Sequence, residues 1–261
     1  LLDRIAPMGQ CNLVDAVSSE LPIFSLSEIL GVPEEDRSKI KEWMTFLEMA
    51  QVVGATQAAE KNNIKLDDAQ QASAPDPAMI AMFTSIVNEM FQYGRDILLK
   101  RRKDPKDDLL SVIANIEIDG KKLPEEYLDG SWLLIIIAGN ETTRNSISGT
   151  IKLLTENPVQ KEKLINNMEL LPNMVNEAIR MISPVIYMRR TTTEETQIGE
   201  QKIGPHEKVV LYYGAANRDP DIFINPDKFD IERENAKKHL AFGYGRHLCL
   251  GKHMANMQLA E

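Results

Sequence analysis

The chain has 261 residues, 43% hydrophobic and 26% charged, the proportions of a soluble globular protein of one large domain or two small ones. Its net charge of −9 argues against a broad surface for nucleic acid or anionic membrane, and two cysteines, at positions 11 and 249, make no disulfide framework. The longest strongly apolar run, WLLIIIA from Trp132 to Ala138, is too short for a membrane span, no secretory leader is visible in a sequence that opens without an initiator Met, and the cysteine usage fits a reducing compartment, expected to be the cytoplasm, or an export route that uses no bridges.

The first two-thirds reads as helix. From Pro33 to Gln51, PEEDRSKIKEWMTFLEMAQ carries acids in its first turn and apolar residues at Ile40, Trp43, Met44 and Leu47. Asn62–Asp76 is polar and weakly patterned, a predicted loop. Pro77–Lys103 is a longer predicted helix with basic residues at its C-terminal end, where they complement the dipole. DDLLSVIANIEI, Asp107–Ile118, is a short one. Pro124 opens the longest, to about Asn157, roughly 50 Å at 1.5 Å per residue. It is apolar nearly all round over Trp132–Ala138, which predicts a buried central helix. Val159–Asn167 and Leu171–Ile182 are two further helices, the second stopped by Pro184. Beyond it, Val185–Gly199 and Glu207–Pro220 are rich in Thr, Val and Tyr and read as β. A loop-rich run, Asn225–His239, leads to a glycine-rich segment and a last helix. The fold class is mainly α with a small β part, in a single domain over 1–261, with no repeats and no linker.

The last segment carries the chemistry. Residues 242–251, FGYGRHLCLG, set Cys249 among Gly243, Gly245 and Gly251. A free cysteine is ordinarily a small buried hydrophobe. Here the glycines allow tight turns and close approach of backbone to a flat ligand. A helix predicted to begin directly after Cys249 would turn its N-terminal N–H groups towards a thiolate. No CxxC is present, and His239, His247 and His253 do not stand at structural-zinc spacing from the thiol. Such a thiolate is a redox nucleophile or a metal ligand. One thiolate without other protein ligands suits a cofactor that already supplies four, and that cofactor is haem.

FGYGRHLCLG resembles the haem-ligand loop of the cytochrome P450 monooxygenases, F-G-x-G-x-H/R-x-C-x-G, with every fixed position present. Two further segments stand in the family's order. AGNETT, Ala138–Thr143, is similar to its oxygen-activation segment A-G-x-D/E-T; Gly139 lets a ligand approach the helix, and a Thr hydroxyl bonded back to a carbonyl can bend it. EAIR, Glu177–Arg180, is similar to its E-x-x-R pair, which lies on one helix face. The resemblance implies haem b with Cys249 as axial thiolate. It implies contacts to the cofactor from Phe242, Gly243, Gly251, Ala138 and Gly139, and to its propionates from His247 and Arg190, the latter adjacent to Arg189. Glu141 and Thr142 would relay protons, where the bland alternative is a Glu141 that faces solvent. Arg233 would join Glu177 and Arg180 in a structural lock.

The resemblance further implies a monooxygenase that places one atom of O2 into an apolar substrate: an alkane, terpene, fatty acid or steroid side chain. Trp132, Ile135, Ile136, Ala138, Val185, Ile186 and Tyr187 are expected to line its cavity. Electrons would come from NAD(P)H through a ferredoxin reductase and a ferredoxin. Lys237, Lys238, Arg246, Lys252 and His253 form a basic patch that could steer an acidic donor. Two alternatives stand beside this reading. One is a haem-binding sensor or inactive homologue without turnover, which needs no proton relay. The other is a thiol redox protein, which lacks a resolving cysteine near Cys249. The match is partial, and a cytochrome P450 fold incomplete at both ends is expected.

Overall fold

A computed structural model describes residues 1–47 and 77–261. The predicted loop Asn62–Asp76 and the C-terminal end of the helix expected over Pro33–Gln51 lie outside the described residues. The chain divides into two compact units, Glu20–Glu141 and the combination of Leu1–Ser19 with Thr142–Glu261.

Among the described residues, the first unit is built on five helices. Helix α1, Glu20–Leu30, ends at Gly31, whose φ of +68° favours glycine. Helix α2, 37–47, buries Ile40, Trp43 and Met44 at helical spacing, as their periodicity predicts. Helix α3 is Pro77–Lys103. Helix α4, Leu109–Asn115, starts at Asp108, whose carboxylate accepts from the Ser111 N–H at 2.7 Å and from Arg101 Nε at 2.6 Å. Helix α5, Glu125–Glu156, begins one residue after Pro124 and runs on into the second unit.

The core of this unit holds a cluster of aromatic rings among aliphatic side chains. The rings of Trp43, Tyr93 and Trp132 lie 5.3–6.5 Å apart, and the Trp132 indole donates to the Met90 carbonyl at 3.0 Å. Trp132 and Ile136 are fully buried. Trp132 belongs to this packing, and neither it nor Ile136 is exposed to an open cavity, contrary to expectation. Leu134 and Ala138, one turn apart on another face of α5, are exposed.

The helix expected to reach Ile118 stops at Asn115. A two-stranded hairpin replaces its end: β1, Glu117–Ile118, pairs antiparallel with β2, Lys121–Lys122. Asp119 and Gly120 between them take φ of 53° and 71°, the left-handed pair of a tight hairpin turn.

The second unit carries helices α6, Pro158–Asn166, α7, Leu171–Ile182, and α8, Lys252–Ala260. Met174, Val175, Ala178 and Ile179 form one buried face of α7 against Leu164, Phe229, Ile231 and Ala241. The loop-rich run thus contributes core residues of its own. The β part is two antiparallel pairs. Strand β3, Tyr187–Thr191, pairs with β6, Lys208–Tyr212, and between them β4, Thr196–Ile198, pairs with β5, Gln201–Ile203. The second β-rich run ends early, because Tyr213–Ala216 turns helical. The described architecture is mainly helical with three small two-stranded sheets.

Candidate functional site

Glu177 and Arg180, three residues apart on α7, are fully buried. Arg180 Nε and Nη2 donate to the two Glu177 carboxylate oxygens at 2.7 and 2.8 Å. Arg233 Nε donates to the same carboxylate at 2.9 and 3.1 Å. Two cations on one anion would be costly in a dry site unless the remaining donors were met. Backbone carbonyls meet them: Asn217 and Pro226 accept from Arg180 Nη1 at 2.7 and 2.8 Å, and Ile224, Asn225 and Lys228 accept from the outer nitrogens of Arg233 at 2.7–3.1 Å. The Arg180 guanidinium also lies 5.0 Å from the Phe223 ring centroid. The three residues named from sequence therefore meet. The loops that carry Asn217, Pro226 and Arg233 are held by charge-assisted bonds rather than by regular structure.

The cysteine segment leaves this cluster directly. Leu240 N–H donates to Asn217 Oδ1 at 2.6 Å, Gly243 N–H to the Leu240 carbonyl at 2.8 Å, and Cys249 N–H to the Phe242 carbonyl at 2.9 Å. The last bond closes a loop in which Gly243 and Gly245 adopt φ of 72° and 70°. A Cβ on Gly243 would stand 3.3 Å from the His247 carbonyl, so both conformation and space call for glycine. Gly251 differs from expectation: its φ is −83° and a Cβ there would meet nothing within 4 Å. It is the N-cap of α8, which starts at Lys252 rather than directly after Cys249.

Tyr244, Arg246, His247, Leu248, Cys249 and Leu250 are all exposed, Leu250 at 82%. Phe242 is half-buried, its ring 5.5 Å from His239 and 5.7 Å from the Lys252 ammonium. His239 is buried; its Nδ1 accepts from the Ala241 N–H at 3.2 Å, which places the ring proton on Nε2. Burial, with the nearby charges of Lys252 and Arg180, pushes its pKa down to about 4. Sequence spacing ruled this histidine out as a zinc ligand and offered no other role for it.

Arg190 lies on β3, opposite Val209 of β6, and is exposed; its Nη1 donates to the Arg189 carbonyl at 3.0 Å. Strand alternation points Arg189 and Arg190 to opposite faces, so the two cannot substitute for one another towards a single ligand.

The segment Ala138–Thr143 stays within an unbroken helix. Asn140 Nδ2, Ser146 Oγ and Thr150 Oγ1 bond back to the carbonyls of Ile136, Thr142 and Ser146 at 3.0, 2.7 and 2.7 Å. Glu141 and Thr142 are half-buried, Asn140 and Thr143 buried. Gly139 was expected to admit a ligand. Its open side instead receives Leu26 of α1, whose methyl carbon would lie 3.0 Å from a Cβ added there.

Among the described residues, no group of three or more His, Cys, Asp or Glu side chains could hold a metal ion. An exposed thiol flanked by exposed leucines, on a loop shaped by two glycines, suits a large planar apolar group with one soft axial ligand. Arg190 and His247 are exposed, and each carries a side chain that can pair with an anionic group. Haem therefore fits the donor set. No helix among the described residues is long and apolar enough to cross a membrane.

Known proteins are similar to nearly the whole of this chain. The chain is 35% identical to a linalool 8-monooxygenase of Pseudomonas putida over 260 residues, 99% of this chain and 58% of that protein. It is 32% identical to a steroid C26-monooxygenase of Mycolicibacterium smegmatis over 259 residues, 99% of this chain and 59% of that one. Among solved structures, CYP109E1 from Bacillus megaterium in complex with testosterone superposes with a TM-score of 0.80 at 31% identity, covering 99% of this chain and 64% of that one. The chain thus spans about three fifths of the length of these relatives. The sequence profile described as Cytochrome P450 matches residues 76–260, a stretch that holds the Ala138–Thr143 segment, the Glu177–Arg180–Arg233 cluster and the Cys249 loop together, and the chain belongs to that family.

Proposed function

We propose that residues 1–261 belong to one haem-thiolate monooxygenase domain that oxidises an apolar substrate in the cytoplasm. The observation that carries this reading is the exposed Cys249 thiol on its glycine-shaped loop, anchored to a buried ion cluster. Cys249 Sγ would hold the haem iron. Phe242, Gly243 and Gly251 would shape the loop face towards it, Ala138 would contact it together with Gly139 by backbone alone, since Leu26 fills the open side of that glycine, and Arg190 and His247 would hold its propionates. Haem, when bound, supplies the activation of O2 and the insertion of one oxygen atom. The chain's own part is to exclude water, hold the substrate and move protons. Glu141 and Thr142, adjacent and half-buried on α5, deliver those protons from the carboxyl and Oγ1.

The exposed apolar pair Leu134 and Ala138, with Ile186 and Tyr187 beyond Pro184, supports an apolar substrate. The relatives' names point to terpenes and steroid side chains, and fatty acids and alkanes share that chemistry. Electrons come from NAD(P)H by way of a ferredoxin reductase and an acidic ferredoxin that docks on the basic residues around Cys249.

The test is the reduced, carbon monoxide-bound optical spectrum of the full-length protein. The native protein is expected to give the thiolate-ligated Soret band and Cys249→Ala to lose it. A Cys249→Ala protein that keeps this band would remove the reading.

A further inference from the structure

Asn217 lies in a loop yet is fully buried, and each of its polar groups is used. Its N–H donates to the Tyr213 carbonyl at 2.8 Å, and its carbonyl accepts from Arg180 Nη1 at 2.7 Å. Its Nδ2 donates to Ser183 Oγ at 2.8 Å, and its Oδ1 accepts from the Leu240 N–H at 2.6 Å. Ser183 is itself constrained: it caps α7 in the left-handed region, at φ 46°, and its hydroxyl donates to the Arg180 carbonyl at 2.9 Å. Leu240 in turn accepts from Gly243, and Phe242 from Cys249. A continuous path of short hydrogen bonds therefore leads from Arg180 through Asn217 to Leu240 and on into the Cys249 loop.

We propose that Asn217 is a positioning residue for Cys249, transmitting the set of the Glu177–Arg180–Arg233 cluster to the loop that carries the thiol. The inference rests on the reading of Cys249 as the haem ligand. Its physical basis is that asparagine presents one donor and one acceptor on a short, planar group. The amide is fixed on one side by Ser183, so the Oδ1 that receives Leu240 cannot wander. Residues 240–251 are otherwise exposed loop over most of their length, and loops without such anchors sample many conformations. Leucine at 217 keeps the size and removes both side-chain bonds. Aspartate keeps the acceptor for Leu240, and the Ser183 hydroxyl can turn to donate to it by giving up its bond to the Arg180 carbonyl.

The experiment is amide hydrogen exchange on the haem-free full-length protein. With Asn217→Leu, protection of the Leu240, Gly243 and Cys249 amides is expected to fall roughly tenfold, the worth of one hydrogen bond, while amides of Met174–Ile179 in α7 keep theirs. Asn217→Asp is expected to recover most of the protection. In the haem-loaded, reduced, carbon monoxide-bound protein, Asn217→Leu should move part of the population from the thiolate-type to the thiol-type spectrum, and Asn217→Asp should move it back. Unchanged exchange at residues 240–249, or a loss equally large in α7, would overturn the proposal. If Asn217→Leu does not fold, Ser183→Ala carries the test: a few-fold loss confined to 240–249 supports the coupling, and none there counts against it. The two readings separate cleanly. A thiolate band that survives Cys249→Ala removes the ligand assignment but leaves the exchange result in force, whereas native exchange in the variants removes the coupling alone.

Discussion

His239 is a residue whose environment alters its chemistry. Both the burial of its ring and the positive charges of Lys252 and Arg180 oppose a second proton, and its pKa falls from 6.5 to about 4. The unfolded chain therefore binds a proton between those two values that the folded chain refuses. Folding stability that is fully present above pH 6.5 is lost as pH falls towards 4, by up to about 3 kcal/mol from this one group. His239→Asn keeps an acceptor for the Ala241 N–H and cannot titrate. Urea unfolding of the full-length protein between pH 7 and 4.5 should show a steeper loss for the native protein than for this variant, with the difference largest at the acid end. Parallel curves would mean that His239 is protonated in the folded state as readily as in water. Histidine at this position was visible in the sequence, but its burial was not, because nothing local in HLAFG separates a buried ring from an exposed one.

At the scale of elements, two glycines of the first unit make opposite predictions. Gly94 of α3 faces the Trp132 ring of α5 so closely that any Cβ would overlap the indole. Gly130, in α5 itself, would meet nothing within 4 Å. Gly94→Ala is expected to destabilise by about 1–3 kcal/mol through overpacking, despite the better helix propensity of alanine. Gly130→Ala should stabilise by up to about 1 kcal/mol, since only propensity changes. Denaturant midpoints at constant slope check both, and two shifts of the same sign would contradict the packing of α3 on α5. Periodicity and caps made the long helices legible, α5 to within a residue or two of its expected ends. The hairpin over 117–122 was overlooked although Asp119–Gly120 is a strong turn pair, because the apolar spacing of α4 runs on through Ile116 and Ile118 and hides the change of period.

For the molecule as a whole, the proposed donor docking makes a kinetic prediction. The net charge is −9, yet Lys237, Lys238, Arg246 and His253, in the segments before and after the thiol, are exposed, and Lys252 is half-buried. Reduction by an acidic ferredoxin should slow as salt rises, because exposed charges are screened beyond about 8 Å near physiological ionic strength. The pair Lys237→Glu and Lys238→Glu should slow reduction at low salt and flatten that dependence. Stopped-flow reduction across a salt series reads both effects. A rate indifferent to salt and to charge reversal would leave these residues as ordinary surface.

The amino-acid sequence by itself determined the family and the class of fold. Family membership rests on short motifs, FGYGRHLCLG, AGNETT and EAIR, whose residue types and spacing are local quantities. Helices likewise follow from local periodicity and caps. Tertiary structure alone decided what those residues face. Trp132 and Ile136 share a run of seven apolar residues with Leu134 and Ala138, yet the first pair is core and the second exposed, because only the packing of α2 and α3 selects a face of a helix that is apolar all round. Gly139 answers to Leu26, a residue more than a hundred positions away. Asn217 became visible only when the folded chain brought Arg180, Ser183 and Leu240 to three of its four polar groups, since a buried hydrogen-bond network joins residues far apart in sequence and leaves no periodic trace in it.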